Sequence, residues 1–139
     1  MTDPAYGKPI PVPDRLTAAF WAAAADERLV MQRCANCRHW QHPPGPICRR
    51  CYSAEVGFEP VSGRGRVYTY TVTHHRVVPG FEDVPYAVAL VELDEQPGLR
   101  MLANLPGVPL ESIEVGMAVE VVFEPLPAGG KLPQFRAIP

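Results

Sequence analysis

The chain has 139 residues, a formal net charge of −2, 47% hydrophobic and 20% charged residues, and 17 prolines. That length supports one proper core with a small appended module and excludes two full domains. No apolar run approaches the roughly 20 residues of a membrane span, and the slightly acidic balance counts against binding that rests on phosphate neutralisation.

The first segment reads as an arm. Pro4, Pro9, Pro11 and Pro13 bar a helix and favour an extended path, either a free tail or a strap onto a partner. Asp14 then caps a predicted helix over residues 14–26, in which Leu16, Ala19, Phe20, Ala23 and Ala24 recur at helical spacing. Trp21 projects beside that stripe, either wedged against the body or offered to another chain. Residues 29–33 read as a short strand. It feeds Cys34-Ala-Asn-Cys37, and Cys48-Arg-Arg-Cys51 follows; these four are the whole cysteine inventory.

A CxxC pair curls the backbone so that both sulfurs face one spot, and two such knuckles close a tetrahedron around one ion. Cys34, Cys37, Cys48 and Cys51 therefore read as the ligands of a structural zinc ribbon with no open coordination position. Disulfides need an oxidising compartment, yet residues 1–14 contain no apolar stretch of the signal-peptide kind, so a reducing cytoplasm is the expected setting. Redox exchange does not need two pairs at ribbon spacing. Iron remains the alternative metal, since the same ligand set holds either. Arg38 and Tyr52 stand where rubredoxin knuckles commonly carry Gly, and this favours Zn²⁺. Four thiolates and one dication would lower the formal charge by two, to −4. Arg33, Arg38, Arg49 and Arg50 can screen that anion. His39 and His42 are expected to be loop hydrogen-bonders rather than ligands, and Trp40 to cover the metal site.

After Cys51 the composition turns to β. Strands are predicted over residues 66–77, 86–94, 99–105, 118–124 and 134–138, with Val119, Val121 and Phe123 on one face. Five strands with a bulge-prone first strand and an irregular insertion before the fourth suggest a small OB-type barrel. The expected organisation is an arm and helix over 1–28, a zinc ribbon over 29–56 and the barrel over 57–139, a mainly β protein.

The order of Phe20-Trp21, the two knuckles around Pro43-Pro44, Gly63-x-Gly65-x-Val67-Tyr68-x-Tyr70, Pro85-Tyr86-x-Val88-Ala89 and Val115-Gly116-Met117 carries a resemblance. From about residue 14 onward the chain resembles the acyl-CoA-associated OB-fold proteins with a rubredoxin-like zinc ribbon, long catalogued as a domain of unknown function. The resemblance implies association with thiolase-fold enzymes: thiolases, acyltransferases and the aldolases of steroid side-chain degradation. It also implies that some members are fused to a MaoC-like hydratase module.

The residues themselves offer little catalytic material. Ser53, Ser62 and Ser112 are the only serines, none in a nucleophile-elbow context. His74 and His75, adjacent on a predicted strand, would face opposite sides. Glu82 and Asp83 read as solvated loop carboxylates. Tyr68 and Tyr70 could stack on bases, but between residues 77 and 125 the only basic residue is Arg100, so a single-stranded nucleic-acid role is disfavoured. The expectation is a noncatalytic accessory subunit of a thiolase-fold enzyme, meeting acyl-CoA through that complex. A stand-alone acyl-CoA or lipid module is the alternative. Trp21 and the loop residues Val78, Pro79, Gly80 and Phe81 are the expected partner or ligand surface.

Overall fold

A computed structural model describes residues 6–139. Helix α1 (Ala18–Ala25) precedes strands β1 (Val30–Cys34), β2 (Trp40–Gln41) and β3 (Val56–Pro60), which form one sheet in the order β2-β1-β3. Strands β4 (Arg64–Thr73), β5 (Tyr86–Leu93), β6 (Arg100–Asn104), β7 (Ala118–Pro125) and β8 (Lys131–Ala137) form the second, in the order β6-β5-β4-β7-β8, all antiparallel. A 3-10 turn, Leu110–Ser112, lies in the insertion before β7.

The helix is shorter than its sequence pattern suggests. Asp14 Oδ1 accepts from the backbone N–H groups of Leu16 and Thr17, each at 2.9 Å, so it caps a preceding turn and regular helix begins only at Ala18. Phe20, Ala23 and Ala24 supply its buried face.

Alternation in β5 is strict: Ala87, Ala89, Val91 and Leu93 are buried, their neighbours half-exposed. These residues line one side of the barrel core, and Val67, Leu99, Met101, Val119 and Phe135 fill the rest. Val121 and Phe123 pack against it from β7 as their spacing suggested. Phe20 of the helix and Leu29, Met31 and Trp40 of the ribbon belong to the same cluster, so helix, ribbon and barrel share one core.

The register slips between Val67 and Thr69, placing a bulge at Tyr68 that bends β4 toward closure. At Gly65 a Cβ would collide with the Glu92 backbone, so only glycine permits that crossing. β6 and β8 meet through a side chain rather than a ladder: buried Gln134 of β8 accepts the Asn104 backbone N–H at 2.7 Å, while Asn104 Nδ2 donates to Ala87 O of the neighbouring β5 at 2.8 Å. The barrel is thus nearly closed, with one seam.

Three local expectations change. β3 is a ribbon strand that the sequence pattern did not single out; it pairs along all of β1. β4 ends at Thr73, opposite Tyr86, so His74 and His75 are exposed loop residues rather than strand residues on opposite faces. β8 begins at Lys131, earlier than residue 134.

Candidate metal centre and contact surfaces

The first knuckle follows β1 directly and the second closes the loop between β2 and β3, so one small sheet presents both. Backbone N–H groups converge on the sulfurs: Cys37 N to Cys34 Sγ at 3.4 Å, and Arg50 N and Cys51 N to Cys48 Sγ at 3.3 and 3.4 Å. Cys34 Sγ lies 3.6 Å from Cys51 Sγ, and Cys37 Sγ lies 3.6 Å from Cys48 Sγ. All four sulfurs fall within 4.8 Å of one another. A tetrahedral ion with bonds of ~2.3 Å needs S···S separations of about 3.8 Å. The four cysteines are therefore positioned to bind a metal, and the set is complete without a substrate position.

The electrostatics favour thiolates at Cys51 and Cys48. The Ser53 backbone amide, followed by the Asn36 side-chain amide, holds the Cys51 thiol down to about 6. The amides of Cys51 and Arg50 lower Cys48. Cys37 goes the other way, to about 11: the His39 amide pulls it down, but burial and three sulfurs sharing its proton outweigh that pull. A cation reverses this balance, because a coordinating thiol loses its proton outright.

Arg38 and Tyr52 both adopt the left-handed conformation, with φ of 66° and 64°. Their N–H groups donate to Cys34 O and Cys48 O at 3.0 and 2.9 Å. The missing glycines therefore do not prevent the rubredoxin-type turn, and the sequence argument for Zn²⁺ over iron drawn from these two positions loses its basis.

The loop between the knuckles is held by two buried glutamines. Gln32 accepts from Gln41 Nε2 at 2.6 Å and from Gly45 N at 2.9 Å, and donates to Gly45 O at 2.8 Å. Gln41 accepts from Arg49 N at 2.9 Å and donates to Ile47 O at 3.0 Å. Sequence reading missed both, since their partners are loop backbone. Trp40 is buried in the shared core, with the Arg33 guanidinium 4.4 Å from the centre of its ring. His42 packs against the Phe20 ring at 5.9 Å; burial, reinforced by the Arg49 charge, lowers its pKa from the usual 6.5.

From Tyr6 onward the arm lies on its own barrel. The Tyr6 hydroxyl donates to Glu124 Oε2 at 2.9 Å, and burial together with that carboxylate pushes its pKa up to about 12. Gly80, at φ 90°, lies so close to Gly7 that a Cβ would overlap the arm backbone. Phe81 is half-buried between the Lys8 ammonium, 4.9 Å from its ring centre, and the Tyr86 ring at 5.3 Å. In the same loop Val78 and Gly80 are half-buried and Pro79 exposed, while Glu82 pairs with Arg76 at 2.6 Å. Pro4 lies outside the described residues.

Trp21 is half-buried and stands edge-on to Phe20 at 5.0 Å. It lines an open apolar cleft of about 390 Å³ with Ile10 and Pro11 of the arm and Leu126, Ala128 and Lys131 of the β7–β8 hairpin. Val78 and Phe81 are not part of that cleft, so the structure places the two expected contact regions on separate surfaces.

The serines serve local turns. Ser53 Oγ accepts from Glu55 N, Ser62 Oγ from Arg64 N, and Ser112 Oγ donates to Pro109 O. Among the described residues no helix is long and apolar enough to cross a membrane.

Residues 21–57 match the family model described as ChsH2, rubredoxin-like zinc ribbon domain, and residues 58–124 that described as ChsH2, C-terminal OB-fold domain. A "Probable enoyl-CoA hydratase alpha subunit" of Thermomonospora curvata is 44% identical over 133 residues, 95% of this chain and 41% of that protein. A "3-oxo-4,17-pregnadiene-20-carboxyl-CoA hydratase alpha subunit" of Mycobacterium tuberculosis is 37% identical over 117 residues, 84% of this chain and 36% of that protein. The chain thus spans about two fifths of the length of these two relatives. By contrast it covers 83% of a "DUF35 domain-containing scaffold protein" of Methanocaldococcus jannaschii, at 32% identity over 120 residues and 84% of this chain. Among solved structures, a chain of "Ltp2-ChsH2(DUF35) aldolase" superposes with a TM-score of 0.83 at 42% identity, over 92% of this chain and 98% of that one. The chain belongs to the DUF35 family, as a ChsH2-type rubredoxin-like zinc ribbon joined to a ChsH2-type OB-fold domain.

Proposed function

We propose that the protein is a noncatalytic scaffold that docks on a thiolase-fold enzyme of acyl-CoA metabolism, in the class of the steroid side-chain aldolases, and supports that enzyme's chemistry. The observation that carries this reading is the likeness to the chain of the "Ltp2-ChsH2(DUF35) aldolase", which extends over nearly the whole of both chains. Relatives whose names specify CoA-thioester hydratase alpha subunits support the same metabolic setting, and a hydratase is the natural second partner.

Local chemistry is consistent with a scaffold. The cysteines form a closed ligand set, the serines bond their own turns, and His74 and His75 project from an exposed loop. Zn²⁺ is the proposed ion. It is redox-inert and tetrahedral, which suits a four-sulfur site with a structural task. Free thiols of this kind persist in a reducing cytoplasm. Trp21 and the loop residues Val78, Pro79, Gly80 and Phe81 are proposed as contact residues.

Co-expression with a recombinant Ltp2-type aldolase tests the reading. The two chains should co-purify, and aldol cleavage of a steroid side-chain CoA thioester should require both. Turnover by the purified chain alone, abolished by a His74 or Asp83 substitution, would overturn it. The apolar cleft beside Trp21 favours one second reading, a stand-alone acyl-CoA or lipid module. Saturable binding of a long-chain acyl-CoA by the isolated chain, lost in Trp21→Ala, is its signature.

A further inference from the structure

Strand β4 outruns one of its neighbours. It pairs with β5 along its length but with β7 only through Arg64, Gly65 and Arg66, and the last bonds on that side join Val67 to Gly116 and Met117. From Thr69 to Thr73 the β7 side is bare. Leu93 N donates to Leu99 O and Ala87 O accepts from Asn104, so the odd-numbered residues of β5 turn their backbone groups toward β6 and the even-numbered ones toward β4. Thr69, Thr71 and Thr73, opposite Leu90, Val88 and Tyr86, therefore spend their backbone groups on β5. Tyr70 and Val72 turn theirs outward, and no backbone group among the described residues bonds them there. The Tyr70 ring is held by its hydroxyl, which donates to Ile113 O at 3.2 Å.

Elsewhere the sheet edges are blunted. Gln96 caps β2, Gln134 bridges β6 and β8, β3 carries Glu59 and Pro60, and β7 carries Glu124 and Pro125 beyond its pairing with β4. The bare part of β4 has none of these devices. Val67-Tyr68-Thr69-Tyr70-Thr71-Val72-Thr73 holds no charge, glycine or proline, and the bulge at Tyr68 precedes the bare stretch rather than interrupting it. An edge of that kind is a template for another strand.

The strand is complementary to itself. Thr69-Tyr70-Thr71-Val72-Thr73 reads nearly the same in both directions about Thr71. We propose that the bare edge of β4 pairs antiparallel with the same edge of a second copy of this chain, across a dyad through Thr71. In that register Tyr70 and Val72 of the second copy bond each other, so every outward N–H and C=O group of both residues is satisfied in both chains. A dyad through Tyr70 would instead set Val72 against the bulge at Tyr68, and one through Val72 would set Tyr70 against the loop residue His74. On one face the Tyr70 ring meets a β-branched valine. On the other, Thr71 meets Thr71 and Thr69 meets Thr73, pairs that are favourable across strands. No like charges oppose one another within that stretch. The contact is small, so the dimer is weak and concentration-dependent. It adds a mode of assembly to the scaffold reading and does not rest on it.

Sedimentation equilibrium of the full-length, metal-loaded chain over about 5 to 500 μM tests this. The average mass should rise with concentration. The Tyr70 and Val72 amides should exchange more slowly as it does, while those of Thr69, Thr71 and Thr73 stay protected by β5 throughout. Thr71→Lys and Thr71→Glu alter an exposed side chain whose backbone bonds go to β5, so metal content and Tm should hold. Each should weaken self-association about tenfold, because like charges then face each other across the dyad. Mixed in equal amounts at low salt, the two variants should associate with each other at least as well as the wild type does with itself. A wild type that stays monomeric, a Thr71→Lys variant that dimerises undiminished, or a mixture that associates no better than either variant alone overturns the proposal. So does protection of Tyr70 and Val72 that appears only when a recombinant Ltp2-type aldolase is added, since a foreign strand then takes the edge. Co-purification with that enzyme reads the scaffold role separately, whichever way the dimer falls.

Discussion

Gln96 grips the backbone of Trp40 at both ends. Its Oε1 accepts the Trp40 N–H at 3.0 Å and its Nε2 donates to the Trp40 carbonyl at 2.9 Å. A side chain from the β5–β6 turn thereby acts as one more rung on the outer edge of β2. Nearby Glu95 accepts the Ser62 N–H at 2.7 Å, so the same turn also holds the connection between ribbon and barrel. Replacing Gln96 with Ala strands both polar groups of a buried residue and should cost about 1–3 kcal/mol. The expected outcome is a lower denaturation midpoint with metal content intact and faster amide exchange at Trp40. Unchanged exchange would show that the clamp carries no stability.

Each chain should hold one zinc ion, and residues 29–56 should depend on it. Structural zinc contributes an apparent ~10–16 kcal/mol in zinc-finger peptides, far more than such a segment recovers by burial alone. Cys34→Ser or Cys48→Ser should give insoluble protein or a chain whose Tm is lowered as a whole. Elemental analysis dominated by iron, with visible absorbance, would refute the zinc assignment.

Acid should weaken the ribbon through His42. Its folded pKa lies below 6.5, so the unfolded chain takes up the proton first. Stability from the neutral imidazole is full above the unfolded value and is lost as pH falls from about 6.5 through the folded value. His42→Gln should flatten that part of the stability profile, measured by denaturant titration at a series of pH values. A profile of unchanged slope would exclude His42 as its source.

The arm should loosen at the opposite extreme. Tyr6 stays protonated in the folded chain up to about 12, against an ordinary value of 10. Its contribution is full below the unfolded value and disappears as pH rises from 10 to 12. Tyrosinate absorbance compared between the native chain and Tyr6→Phe should reveal one late-titrating phenol. Gly80→Ala should displace the arm at neutral pH and expose it to proteolysis. Equal protection in that variant would show that the arm is not anchored at Gly80.

Phe81→Ala or Trp21→Ala should weaken the aldolase complex roughly 30-fold if the residue anchors it, as about 2 kcal/mol of lost contact implies. The metal site should survive both changes. Wild-type affinity in both variants would remove these residues from the interface and leave the scaffold role in place.

What could be read from the sequence follows from how local each signal is. The ligand set is local: four cysteines within one short loop pair announce themselves by spacing. The bulge at Tyr68 and the alternation of β5 are nearly as local. β3 is not, because Val56-Gly57-Phe58-Glu59-Pro60 carries a glycine and a proline that lower its strand propensity, and only pairing with β1 makes it a strand. The end of β4 was misplaced for a related reason. Residues 74–77 look as β-prone as those before them, but the partner strand begins opposite Thr73 and offers nothing further along. Gln96 and Gln134 were invisible, since a polar residue acquires its task only when folding brings a distant backbone within reach. The arm's path over Phe81 belongs to the same class. The barrel was suggested by the strand count and the irregular insertion before the fourth strand, whereas the expected partner enzyme class came from the resemblance alone.

Phe20, Met31 and Trp40 sit in one cluster with Val91, Val119 and Phe135, so the fold has no internal seam at which the ribbon could melt alone and leave the barrel untouched. Chelators and heat should consequently act on a single cooperative transition. The Tm recorded from the barrel tyrosines, far in sequence from any sulfur, should then climb with the logarithm of free metal concentration, as mass action requires of an ion that binds only the folded state. A spectroscopic signal from Tyr68 or Tyr70 would thus report how tightly Cys34 and its three companions hold their ion.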